Sequence, residues 1–312
     1  MRKVSLFALL TVSVIAFEAP PMPSGEVGRM VKLGQDIAMN TATHPLTKKL
    51  VGNTLSCKSC HLQENANGYP GTGKGLSTWI GTATVFPAYS KREKTLQTLE
   101  DRSNNCFMRS MGGKRLENGS EASLALATYI SWLSTGMPMK MDEKRPVTPS
   151  KSQFYADGQK KFKAIVEKST HKNYLNGKKV FEASCASCHQ ANGSGMFPAF
   201  PALWGFDYEG KNLAFNAGAG LADPKKSATW IQDNMPLYQE QTLSDQDAAD
   251  VALYVDSQPR GSFDLAEGIK DTKVYNSKVF EEKHSVRSRL ESYGLNVDEI
   301  RGDTLLTPVL TH

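Results

Sequence analysis

The sequence predicts an all-α chain of two small fused domains built on one plan. Three observations carry that prediction. The pattern C-x-x-C-H occurs twice, as "CKSCH" (Cys57, Cys60, His61) and "CASCH" (Cys185, Cys188, His189). The second copy sits in a helix–motif–loop–helix order. A helical stretch follows the first copy at nearly the same distance as it follows the second.

The chain opens "MRKVSLFALLTVSVIAFEAP". Two basic residues precede an apolar run from Val4 to Phe17, too short for a membrane span of roughly 20 residues. Val14 and Ala16 fit the small-residue pattern before a cleavage point. Residues 1–16 are therefore read as a secretory signal peptide, and the mature protein as soluble and exported to the periplasm. An uncleaved N-terminal anchor is the alternative. The formal net charge of +5 falls to +3 without Arg2 and Lys3, which argues against a nucleic-acid partner or an anionic membrane.

A C-x-x-C-H motif is the attachment signature of covalent c-type haem: each cysteine adds across a vinyl group, and the histidine becomes the proximal iron ligand. A zinc site would need further ligands at matching spacing, and none are visible. Cys57, Cys60, Cys185 and Cys188 are thus the expected anchors of two covalently bound haem c groups, with His61 and His189 as ligands. Around the second copy, "NYLNGKKVFEAS" places Gly177 and Phe181 on a leading helix. "GSGMFPAFPALWG" follows as a Gly/Pro-rich loop able to wrap a flat ligand. "LSDQDAADVALYVDSQP" closes the unit as a helix, with Ser244 as N-cap, Asp247 three residues on, and Val251 and Val255 on one face. This is the class I cytochrome c-like plan. Its distal ligand is expected at Met235, in "IQDNMP", 46 residues past His189; Met196, in the wrapping loop, is the competitor.

In the first copy, the slot equivalent to Met235 falls 45 residues past His61, on Cys106, and the helical "SEASLALATYISWLS" follows it. Cys106 is therefore the expected distal ligand of the first haem. A small buried hydrophobe is the structural alternative, with Met108 or Met111 as ligand instead. An unpaired cysteine in an oxidising compartment favours a chemical use. So do its neighbours. Residues 91–115 carry Lys91, Arg92, Lys94, Arg102, Arg109, Lys114 and Arg115 against Glu93, Glu100 and Asp101, a local net of +4, and positive charge favours thiolate over thiol.

"SCKSCH", "FPAYSKRE", "LEDRSNNCFMRSMGGK", "CASCHQANGSGMFPAFPALWG" and "NMP" together resemble the dihaem thiosulfate dehydrogenases, some of which work as tetrathionate reductases. The resemblance runs from about residue 25 to 260 and is most specific over 86–113. It implies interconversion of two thiosulfates with one tetrathionate and two electrons, at a haem ligated by His61 and Cys106. Arg92, Arg102 and Ser110 stand where the family places groups around the substrate, and Arg109 is a reserve. Forked guanidinium groups suit the sulfonate ends of such dianions. The second haem would relay electrons to a soluble or membrane-bound c-type cytochrome. Where some members carry lysine before the distal methionine, this chain has Asn234, so steady His/Met ligation is expected.

The expected layout is a signal peptide over 1–16, domain one over 17–140, a Pro- and charge-rich linker over 141–171, domain two over 172–260, and an extension over 261–312 without assigned role. "FYADGQKKFKAIVEK" in the linker reads as a short helix; His284 and His312 in the extension read as surface residues. A non-enzymatic dihaem electron carrier and a dihaem peroxidase are the competing functions.

Overall fold

The computed structural model describes residues 17–64, 68–90, 92–141, 153–265 and 282–302. The expected signal peptide, Lys91 and His312 lie outside them. Helices dominate, and the only sheets among the described residues are two short two-stranded ladders.

In domain one, helix α1 (Gly25–Asn40) crosses α3 (Glu121–Trp132). The buried positions of α1, Gly28, Val31, Gly34 and Ile37, recur every three residues and form one stripe. On α3 the stripe is Ala122, Ala125, Leu126, Tyr129 and Ile130, and the helix starts where Ser120 Oγ accepts the Ser123 amide. Gly34 marks the crossing, because a Cβ there would overlap the Ala125 carbonyl. Between these helices run the first C-x-x-C-H as a tight turn (Cys57–Ser59), a hairpin of β1 (Ala88–Ser90) and β2 (Thr95–Gln97), and helix α2 (Leu99–Met108). A capping box between Thr98 and Asp101 fixes where α2 begins.

Domain two repeats the arrangement. Helix α4 (Gln153–Val166) leads into α5 (His171–Ser184), the short α6 (Ala186–His189), α7 (Pro224–Asn234) and α8 (Asp245–Ser257). Ser244 Oγ caps α8 by accepting the Asp247 amide, and Val251 and Val255 are buried together. Gly177 of α5 plays the part of Gly34: a Cβ there would overlap the Asp250 carbonyl on α8. Phe181, Trp204 and Tyr254 interlock around this crossing with ring centroids 5.0–5.8 Å apart, each such pair adding about 0.5–1.5 kcal/mol beyond its burial.

The helix expected within the linker forms as the 14-residue α4, but it is part of domain two rather than linker, because its Phe162 and Val166 are fully buried in the domain-two core. The described part of the extension, to which the sequence assigned no role, packs on domain two. Strand β3 (Phe263–Asp264) pairs with β4 (Lys283–His284), followed by α9 (Val286–Glu291) and α10 (Val297–Arg301). Leu290, Tyr293, Leu295, Val297 and Ile300 join the same core. His284, read as a surface residue, is half-buried and stacks on Phe263. No helix among the described residues is long and apolar enough to cross a membrane.

Candidate active site

The first C-x-x-C-H lies on a cavity of about 310 Å³. Most of its wall is apolar, from Leu55, Trp79, Val85, Phe86, Leu126 and Ile130. Cys57, Cys60 and His61 line it, and so, from α2 and the turn after it, do Arg102, Cys106 and Ser110. The fold thus brings together six of the residues singled out in domain one. Arg92 is not on that wall. It sits in the β1–β2 turn, exposed, with Nη2 3.5 Å from Glu93 Oε1.

The site residues suit a covalently held haem. His61 Nδ1 lies 2.9 Å from the Ser77 carbonyl oxygen, which can only accept, so Nδ1 carries the proton and Nε2 keeps its lone pair for a metal. The ring is stacked on Trp79 with centroids 4.4 Å apart. Burial pushes the Cys57 and Cys60 thiols up to about 12. They are therefore neutral sulfurs in an apolar wall, suited to thioether links and poor as thiolate ligands.

Cys106 occupies the last turn of α2, half-buried. Arg102 lies one turn earlier, with Nη1 3.6 Å from Cys106 Sγ. Ser110 follows in the turn that ends α2, where the Gly113 amide reaches back to the Phe107 carbonyl and Gly112 takes a positive φ of 55°. Met111 shares the cavity wall, whereas Met108 is buried elsewhere in the domain.

Much of the basic character read from the sequence is neutralised. Arg109, the reserve substrate group, is 2% exposed and clamped between Glu93 (2.9 Å) and Glu282 (2.6 Å), with its guanidinium 5.0 Å from the Phe263 ring centroid. Arg115 pairs with Asp101 at 2.9 Å. Arg109 is thus a tie between α2, the hairpin and the C-terminal strands. Sequence reading missed Glu282, because its partner lies 173 residues away.

Domain two holds its motif in the same way. His189 Nδ1 lies 2.9 Å from the Pro201 carbonyl, and burial lowers the ring's pKa, which keeps it neutral. Burial raises Cys185 to about 11. Met235 directly follows α7 and is half-buried, while Met196 is 41% exposed and paired through its backbone with Phe200. Trp79 and Trp204 each pack beneath a positive-φ glycine, Gly71 and Gly193, a correspondence that the unequal spacing of the two copies hides in the sequence.

Two cytochrome c domains, one of them opening on a cavity shared by a C-x-x-C-H histidine, a third cysteine and an arginine, define a dihaem c-type oxidoreductase. Residues 47–139 match the family described as SoxA/TsdA, cytochrome c domain, and residues 174–259 match Cytochrome c; the chain carries two covalently bound haem c groups. The thiosulfate dehydrogenase of Thiomonas intermedia is 36% identical over 251 residues, covering 78% of this chain and 71% of that one. That of Allochromatium vinosum is 32% identical over 259 residues, covering 81% and 86%. The solved thiosulfate dehydrogenase TsdBA of Marichromatium purpuratum superposes with a TM-score of 0.62 at 28% identity, covering 79% of this chain and 50% of that one. The chain belongs to the thiosulfate dehydrogenase family.

Proposed function

We propose that this chain oxidises thiosulfate, joining two molecules into tetrathionate with release of two electrons, and catalyses the reverse reaction at the same site. The observation that supports this reading most is the shared cavity of His61 and Cys106, with Arg102 Nη1 3.6 Å from the Cys106 sulfur. His61 and Cys106 would hold the iron of the first haem, and His189 and Met235 that of the second. When bound, the two haems supply the acceptors for the two electrons.

Cys106 is the group that reacts with sulfur. Its thiolate bonds to the outer sulfur of one thiosulfate as two electrons leave, giving a cysteinyl S–S–sulfonate. The outer sulfur of a second thiosulfate then attacks that same substrate sulfur. The bond to Cys106 breaks, the thiolate is restored, and tetrathionate departs. A substrate sulfonate beside Cys106 meets the Arg102 guanidinium as a charge-assisted partner. Ser110 offers a hydroxyl on the same wall, and Arg92 adds positive charge from the hairpin turn.

Residues 1–16 direct the chain to the periplasm, and domain two passes electrons to a soluble or membrane-bound c-type cytochrome. The test is turnover by the holoprotein: thiosulfate with ferricyanide should yield tetrathionate, and tetrathionate should oxidise a reduced viologen. Inactivity in both assays, with peroxide reduced instead, would replace this reading with a dihaem peroxidase.

A further inference from the structure

Helix α7 ends beside the proposed distal ligand of the second haem, yet its side chains reach the motif of the first. Trp230, 8% exposed, donates its indole N–H to the Cys60 carbonyl at 3.0 Å. One turn later Asn234, 3% exposed, clamps the backbone of Lys74: its Oδ1 accepts the Lys74 amide at 3.2 Å and its Nδ2 donates to the Lys74 carbonyl at 3.3 Å. The same amide nitrogen also donates to the backbone carbonyl of Trp230 at 3.0 Å, which ties the Asn234 side chain to the preceding turn of α7.

Both contacts fall on groups that orient His61. The Cys60 carbonyl also accepts the Ser77 hydroxyl at 2.9 Å, and the Lys74 carbonyl also accepts the Ser77 amide at 2.9 Å. Ser77 in turn offers its carbonyl to His61 Nδ1 at 2.9 Å. Gly75, between them, has a φ of +54°, and a Cβ there would overlap the Asp233 carboxylate of α7. The helix thus docks on the turn that carries the histidine's hydrogen-bond partner, at a position that excludes a side chain.

We propose that α7 is a bridge by which domain two sets the geometry of the first haem's proximal histidine, with Trp230 and Asn234 as positioning residues. Each acts on the fixed end of the Ser77–His61 bond, and a displaced acceptor rotates the imidazole that it holds. The electronic state of the first site therefore depends on residues of the other domain. This inference rests on His61 as a proximal ligand but not on the substrate, so the proposed reaction can fail while the bridge stands.

The test uses the full holoprotein with Trp230→Phe, which keeps the ring and deletes the N–H, and Asn234→Ala. In both variants the low-spin electron paramagnetic resonance signal of the first haem should shift or split, while the near-infrared methionine band of the second haem stays in place. In Asn234→Ala, hydrogen exchange at the Lys74 amide should accelerate about fivefold, as one lost hydrogen bond implies. An unchanged signal from the first haem in both variants would overturn the proposal. Equal disturbance of both haems would also overturn it, leaving α7 a general structural element.

Discussion

Arg102 and Cys106 stand one turn apart on α2, with guanidinium Nη1 3.6 Å from the sulfur and both side chains on the wall that holds His61. A helix places residues i and i+4 on one face, so the capping box that starts α2 at Thr98 also aims this pair into the cavity. A fixed cation beside a cysteine suits a site that handles dianions through sulfur.

Arg102→Ala should raise the Michaelis constant for thiosulfate or lower turnover at least tenfold, since a charge-assisted contact contributes about 1.5–3 kcal/mol. Arg92→Ala should do less, because Arg92 lies off the cavity wall. Steady-state kinetics at equal haem content checks both. Unchanged kinetics in Arg102→Ala would make it a surface charge.

The second haem offers a spectroscopic choice between Met235 and Met196. Met235→Gly should remove the near-infrared band of methionine-to-iron charge transfer and slow electron exit, whereas Met196→Gly should leave the band in place. The reverse result would move the ligand into the exposed loop.

Arg109 separates structure from catalysis. Replacing it with leucine removes the cation shared by Glu93, fully buried, and Glu282, 13% exposed, and should cost about 3–5 kcal/mol in denaturant unfolding.

The same cluster gives a pH dependence. Burial alone would raise the Glu282 carboxyl, but hydrogen bonds from His284 and Arg109 and the charges of Arg109 and Arg92 bring it down from 4.5 to about 2. A carboxyl depressed on folding stabilises the protein above its unfolded pKa, and that contribution disappears as pH falls through the folded value. Stability should therefore decline between about pH 4.5 and 2. In Glu282→Gln the decline should be shallower when unfolding is followed across that range.

The two domains were legible because their signals are local. C-x-x-C-H marks the expected haem anchors, Ser244 and the apolar stripe after it mark α8, and the overlay of one repeat on the other points to Cys106. Helix α1 escaped that overlay. Gly34 precedes His61 by 27 residues, whereas Gly177 precedes His189 by 12, so an insertion hides the match. The overlay also equated two different settings: Met235 follows a helix, whereas Cys106 lies within one. The linker helix was visible only as a weak pattern, because its stripe of Phe162 and Val166 acquires meaning against α7 and α8. The ties that neutralise Arg109 and brace Ser77 were not legible at all. Glu282, Trp230 and Asn234 are distant in sequence from what they hold, and no periodicity records such pairs.

The role of Cys106 as both ligand and reacting sulfur is tested most directly by Cys106→Met. Methionine can fill the distal position but cannot cycle through a thiolate. The first haem should remain six-coordinate and attached through Cys57 and Cys60, and its reduction potential should rise, because a neutral thioether replaces an anionic ligand. Thiosulfate oxidation and tetrathionate reduction should both fall nearly to zero while the second haem keeps its spectrum. Turnover near the wild-type rate in Cys106→Met would contradict the account and leave Cys106 a replaceable ligand.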